Sequence, residues 1–260
     1  MLLHGFMDVA SSWDEVADVL AGAGYRVLAP DLRGFGAAPR APLGSSFYFP
    51  DYIADVDALV RESVRPDEAL FVVGHSMGGT VATLLAGTYP ERVKKLAVLE
   101  GLGPADTPLD EGPRRMREFV ETTRRYRGER HRTMRDLEEV VSRLRMGHPT
   151  VDDATLRAHA ERLVTAPADG EGYVWAYDPL HRARSPYPFQ AAAFRAFAAA
   201  IQCPVLIVSG GPTGFHPLDE DERVGAFRTR EVAVIDDAGH MMHWTRPERL
   251  AALIVAFFAR

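Results

Sequence analysis

A serine sits among glycines in Gly74-His75-Ser76-Met77-Gly78-Gly79, between an apolar run, Ala69–Val73, and a helix-like stretch, Thr80–Tyr89, that stops at Pro90. A hydroxyl at the tip of a tight strand-to-helix turn is exposed, and the helix behind it offers backbone N–H groups to a developing negative charge. Gly74 and Gly78 suit such a turn, because a Cβ at either place would crowd strand against helix. The chemistry this favours is nucleophilic attack on a carbonyl. A serine hydroxyl is a weak nucleophile at neutral pH, so it needs a base. Of the nine histidines, His240 in Asp237-Ala238-Gly239-His240 is the best candidate, because it follows the last strand signal. His75 lies inside the turn and is expected to point away from Ser76 Oγ, while His243 reads as a packing or hydrogen-bonding residue.

These residues need a scaffold of alternating elements. Strand signals are Met1–Leu3, Tyr25–Ala29, Ala69–Val73, Lys95–Leu99, Pro204–Ser209 and Arg230–Ile235. Helical spacing covers Trp13–Ala23, with Ser12 as a candidate cap, then Asp51–Arg65, Thr80–Tyr89 and Pro247–Phe258. That alternation predicts an α/β fold with a mostly parallel sheet covered by helices on both faces. Residues 101–200 break it. They show no convincing strand and several helical stretches, including Arg114–Tyr126, Arg132–Arg145, Asp152–Val164 and Phe189–Ala200. This predicts a core of residues 1–100 and 201–260 with a helical insertion at 101–200.

Composition narrows the function. The 260 residues carry 47% hydrophobic and 25% charged side chains, the balance of a globular protein with a sizeable core. A formal net charge of −6 argues against a nucleic-acid-binding surface. The single cysteine, Cys203, excludes an internal disulfide and a cysteine-based zinc site. No apolar run reaches the roughly 18 residues of a membrane span, and no signal peptide is visible, so a cytoplasmic location is expected.

Four segments in order resemble the α/β-hydrolase superfamily: His4-Gly5-Phe6, Asp31-Leu32-Arg33-Gly34-Phe35-Gly36, Gly74-His75-Ser76-Met77-Gly78-Gly79 and Ala238-Gly239-His240. The resemblance implies an eight-stranded sheet with a helical cap between strands six and seven. It also implies an oxyanion hole made by the N–H groups of Phe6 and Met77. Two features depart from the family pattern. Many members keep the triad acid as an Asp shortly after strand seven, but here that stretch is Gly210-Gly211-Pro212-Thr213. Some relatives keep it after strand six, where this chain has Glu100, and the Glu-Gly-Leu-Gly stretch at 100–103 is similar to the serine-hydrolase-like subgroup. Glu100 is therefore preferred over Asp219, Asp221 and Asp237. Members also carry two strands before the His-Gly strand, which need about 15–25 residues. Met1 leaves no room for them, so either the polypeptide starts upstream or the sheet lacks that edge.

The resulting expectation is a serine hydrolase that cleaves a small-molecule carboxylic ester through an acyl-enzyme on Ser76, with His240 as base and Glu100 as orienting acid. This chemistry calls for no metal and no organic cofactor. Serine in place of an aspartate at 76 argues against the carboxylate-nucleophile chemistry of dehalogenases and epoxide hydrolases. Carbon–carbon bond hydrolysis on the same triad and a non-catalytic binder with a decayed site are the alternatives. In the insertion, Trp175 and Tyr177 either line an acyl pocket or pack the cap onto the core, and Met241 beside His240 is a further candidate wall. Residues 114–145 hold eleven arginines against six acidic residues, which reads chiefly as solvated helix faces with paired charges.

Overall fold

The central strands are apolar at nearly every position because each is buried from both sides. The computed structural model describes residues 1–42, 44–168 and 170–260. The first half supplies β1 (Leu2–Leu3), α1 (Asp14–Gly22), α2 (Phe49–Ser63), β2 (Leu70–His75), α3 (Met77–Thr88) and β3 (Val93–Leu99). Then come α4 (Gly112–Tyr126), α5 (Leu137–Gly147), α6 (Asp153–Ala160), β4 (Val164–Thr165), β5 (Val174–Trp175) and α7 (Ala191–Ala200). The chain closes with β6 (Val205–Ser209), α8 (Glu220–Gly225), β7 (Arg230–Val234), α9 (Met242–Thr245) and α10 (Pro247–Phe258).

The main sheet is parallel in the order β1-β2-β3-β6-β7. Alternate residues face opposite layers. Val72, Leu96, Val98, Val205 and Ile207 pack with Val56, Val60, Val81, Leu85 and Phe194, beneath α2, α3 and α7. Val73, Ala97, Leu99, Leu206 and Val208 pack with Val16, Leu20, Leu250, Ile254 and Phe257 of α1 and α10. Burying each Leu, Ile, Val or Phe contributes about 1.5–3 kcal/mol. Register then aligns the carboxyl ends, with His75 beside Leu99 and Leu99 beside Val208. Ser76, Glu100 and the turn after Ser209 therefore emerge together at one rim, where open α/β sheets place their sites.

The structure corrects several expectations. Among the described residues the main sheet has five strands, not the eight the resemblance implies. Tyr25–Ala29 has strand-like alternation, Tyr25, Val27 and Ala29 to one cluster and Leu28 to the other. Its link to β1 is the Leu2 N–H donating to the Leu28 carbonyl, and it is not a strand of the sheet. Residues 101–200 contain the antiparallel pair β4–β5, whose strands are two residues each and too short to show a period. Ser12 does not cap a helix; it lies in a buried 3₁₀ turn and its hydroxyl donates to Asp8. The Arg132–Arg145 helix begins only at Leu137, because Asp136 accepts the Glu139 N–H as its N-cap. Asp152 caps α6 in the same way through Thr155. The α5–α6 pair buries Val140, Val141, Leu144 and Leu156 with Val9, Met241 and Trp244 of the body, whereas α7 places Phe194 and Ala198 in the main core.

A Cβ on Gly78 would lie 2.2 Å from the Leu3 carbonyl oxygen, backbone against backbone, whereas one on Gly22 would meet nothing within 4 Å. Chemical denaturation should show Gly78→Ala losing about 1–3 kcal/mol. Gly22→Ala, at the end of α1, should be neutral or gain up to about 1 kcal/mol.

Candidate active site

The turn after β2 is left-handed at its tip, Ser76 having φ 51° and ψ −117°. Such a conformation in a non-glycine residue costs of order 1–3 kcal/mol and persists only where its surroundings fix it. Here the Ser76 N–H donates to the Leu99 carbonyl at 2.9 Å. A Cβ on Gly74 would lie 2.3 Å from the Gly78 carbonyl oxygen, so strand and helix close only with glycine there.

His240 reaches this turn from the loop after β7. Its Nδ1 lies 2.7 Å from Glu100 Oε2 and its Nε2 lies 3.1 Å from Ser76 Oγ. With Nδ1–H donating to the carboxylate, Nε2 accepts from the serine hydroxyl. The Glu100 side chain is 2% exposed and the imidazole 32%, so the carboxylate is sealed while the ring faces open space.

Glu100 follows β3 with φ 46°, a second left-handed residue at the same rim. Besides His240, its carboxylate accepts the N–H groups of Gly210 and Phe215, each at 2.6 Å. Burial is the largest influence on this carboxyl and works to raise its pKa; the bonds from His240, Phe215 and Gly210 outweigh it and hold the group below its ordinary value. The turn that departs from the family pattern at Thr213 is the cradle for this group. A Cβ on Gly214 would fall 1.8 Å from Glu100 Oε1, and one on Gly210 3.0 Å from it. The other acids lie elsewhere: Asp219 pairs with Arg223, Asp237 with Arg246 and Arg249, and Asp221 is exposed on α8.

A buried bracket beneath the site ties its loops together. His4 Nδ1–H donates to the Gly5 carbonyl at 2.8 Å, while its Nε2 accepts the Leu32 N–H at 2.9 Å. His75, turned away from Ser76 Oγ as expected, donates Nε2–H to the His240 carbonyl at 2.7 Å. Burial, then the neighbouring His243 and His240, pushes the His75 pKa well below its ordinary value, so the ring stays neutral. His243 Nε2 donates to Asp8 Oδ2 at 2.8 Å, joining the loop after His4-Gly5 to α9. Sequence reasoning missed Asp8, although its place four residues after His4 is a visible signal. Asp8, His75 and His243 are the one group among the described residues whose possible ligand atoms lie within 4.8 Å of one another; the Nε2 atoms of both rings are hydrogen-bonded, and the Nδ1 atoms of both have no partner among the described residues.

Phe6, Ser76, Met77, Glu100 and His240 all border one cavity of about 1150 Å³. Its walls are rich in aromatic rings, among them Phe47, Tyr48, Phe49, Phe119 of α4, Tyr187 and Phe189, with Tyr48 edge-on to Tyr187 and Phe49 edge-on to Phe189. Trp175, Tyr177 and Met241 are not among its walls. Tyr177 is buried in the main core with Trp175 stacked on it, and Met241 packs against the α5–α6 cluster. Trp175 and Tyr177 take the packing role that the sequence left open, and Met241, expected as a wall, packs between α5–α6 and Trp244 instead.

Comparison with known proteins bears on the fold and the family. A family model described as alpha/beta hydrolase fold matches residues 1–247. The chain belongs to that family. It is similar to a serine hydrolase-like protein of Dictyostelium discoideum, 27% identical over 214 residues, covering 81% of this chain and 59% of the relative. A serine hydrolase-like protein of Danio rerio is 29% identical over 181 residues, covering 68% and 54%. The chain thus spans a little over half the length of these curated relatives. Among solved structures, a hypothetical protein of Pseudomonas aeruginosa PAO1 superposes with a TM-score of 0.87 at 28% identity, covering 100% of this chain and 90% of that one. A thioesterase domain from the curacin biosynthetic pathway gives 0.80 at 27% identity, with 98% and 89% covered. Among the described residues no helix is long and apolar enough to cross a membrane.

Removing one partner of the buried Asp8–His243 pair should be costly, and Asp8→Asn is expected to lose about 3–5 kcal/mol in urea unfolding at pH 7. For Asp8 too, burial acts first to raise the pKa, but His243 and Ser12 hold it below its ordinary value. Its contribution is therefore fully present above the ordinary carboxylate range and is lost as pH falls through the folded value. Unfolding free energy measured from pH 7 to pH 3 should fall less steeply in Asp8→Asn than in the wild type.

Proposed function

We propose that this protein is a serine hydrolase that cleaves carboxylic esters through an acyl-enzyme on Ser76. The observation that carries the reading is the continuous bridge from Glu100 through His240 to Ser76, 2.7 Å on one side and 3.1 Å on the other, opening on an aromatic cavity. Kinship with serine hydrolase-like proteins supports the same class.

In the proposed cycle Ser76 Oγ attacks the ester carbonyl while His240 Nε2 takes its proton. The carbonyl oxygen becomes an oxyanion, met by the backbone N–H groups of Phe6 and Met77; a single such donor is worth about 2.7–4 kcal/mol in comparable sites. Collapse of the tetrahedral intermediate breaks the bond to the alcohol oxygen, which receives the proton from His240. A water molecule then attacks the acyl-serine, gives its proton to His240, and the acid leaves as Ser76 is reprotonated. Glu100 keeps Nδ1 protonated and stabilises the imidazolium that forms in each half. Its depressed pKa keeps it ionised across the neutral range. Of the helices α4 to α6, α4 walls the cavity through Arg115 and Phe119.

Steady-state hydrolysis of short 4-nitrophenyl esters tests the roles. Ser76→Ala should lose essentially all turnover, and Glu100→Gln should fall by about 10³–10⁴-fold through loss of the correct tautomer. Asp219→Asn and Asp237→Asn should keep activity within a few-fold of wild type. Wild-type rates in Ser76→Ala, or collapse in an Asp variant with Glu100→Gln unaffected, would overturn the assignment. The products should be an alcohol and an acid, and a ketone with an acid would instead indicate carbon–carbon cleavage.

A further inference from the structure

The cavity above Ser76 is larger than the bare chemistry needs, a little above the ~300–1,000 Å³ usual for small-molecule sites, and its walls are uneven in charge. Apart from histidines, its charged lining residues are Glu100, Arg115 and Arg184. Glu100 is committed to His240 and two backbone amides. Arg184, its side chain 62% exposed, stands 3.6 Å from Glu118. His181 is stacked between Phe35 and Phe47, and burial drives its pKa down to about 3, so it adds no positive charge.

Arg115 is different. It projects from the first turns of α4 and is half-buried against the cavity, with no acidic partner among the described residues. The nearby acids are engaged by other arginines: Arg114 pairs with both Glu111 and Glu118. The one side-chain hydrogen bond Arg115 makes among the described residues, from Nη2 to the Ser185 carbonyl, is long at 3.4 Å. Its Nε is shut off from solvent and has no acceptor. A guanidinium offers five donors in a flat fork that matches carboxylate and phosphate oxygens two at a time. Withdrawn from water without a partner it is poorly satisfied, and an anion arriving there meets a charge already partly desolvated.

We propose that the substrate carries an anionic group, a carboxylate or a phosphate, on the end remote from its ester, and that Arg115 is the residue that reads it. The proposal builds on the hydrolase reading above. The ester carbonyl lies at Ser76, an apolar or aromatic spacer fills the middle of the cavity, and the terminal anion engages the Arg115 fork beneath the segment that carries Tyr187 and Phe189. Arg115 is thus a specificity-determining residue, and it takes no part in bond making.

The test uses three 4-nitrophenyl esters of one chain length that differ only at the far end: 7-carboxyheptanoate, 7-phosphonoheptanoate and the neutral 7-carbamoylheptanoate. The readout is the ratio of kcat/KM for each anionic ester to that for the carbamoyl ester. Wild type should prefer at least one anion by roughly 10–100-fold, chiefly through a lower KM. The preferred arm distinguishes a carboxylate from a phosphate ligand. Arg115→Gln should bring the ratio close to unity, and Arg115→Lys should retain part of it. A wild-type ratio near unity, a ratio that survives Arg115→Gln, or one abolished by Arg184→Gln instead would overturn the proposal. The same esters titrated calorimetrically into Ser76→Ala, with and without Arg115→Gln, read the anion preference without turnover. Failure of all three esters to be hydrolysed by wild type would strike at the hydrolase reading alone, because those titrations still decide the role of Arg115.

Discussion

A carboxylate sealed at the end of β3 holds the site together. Glu100 gains three donors, His240 and the amides of Gly210 and Phe215, and together they overcome the burial that would otherwise keep it protonated. An unpartnered carboxylate at this depth would be prohibitive. The loops after β6 and β7 must therefore close over β3, and that closure brings His240 to Ser76. The parallel register of β2, β3 and β6 makes the approach possible, since one pleat of slippage would turn Glu100 to the opposite layer.

How far this was legible depended on whether a signal was local. The Ser76 turn is a local object: strand, glycine, serine, glycine and helix occupy consecutive positions, and steric exclusion at Gly74 and Gly78 enforces them. Glu100 was harder to read. Its partners lie 110 and more residues away, and Thr213 stands where an acid is common in the family. The structure supplies the missing physical reason, since Gly210 and Gly214 leave the space that the Glu100 carboxylate fills. Glycines in that loop were therefore a positive signal for an acid arriving from elsewhere. Asp8, and its role as the hydrogen-bonding partner of His243, escaped because a buried pair 235 residues apart leaves no periodicity to detect.

Residues 101–200 were legible as helices and illegible as a surface. Aromatic residues are required both by a pocket wall and by a domain seam, so the types of Trp175 and Tyr177 could not separate the two, and folding put both in the seam. The walls come instead from Phe47–Phe49, Phe119 and the 187–189 segment. The basic bias of residues 114–145 divides similarly. Arg114, Arg143 and Arg145 find acidic partners as solvated faces do, whereas Arg115 faces inward. Burial, which sequence does not display, decides the difference.

The proposed activity depends on the Ser76 hydroxyl being made nucleophilic by His240 across 3.1 Å. The most direct measurement is reaction with an alkyl fluorophosphonate followed by peptide mapping in a mass spectrometer. The proposed activity predicts one adduct, on Ser76, forming rapidly in the wild type and slowed by orders of magnitude when His240 is replaced by alanine. A protein that stays unmodified, carries the adduct on another residue, or labels equally fast without the imidazole would contradict it.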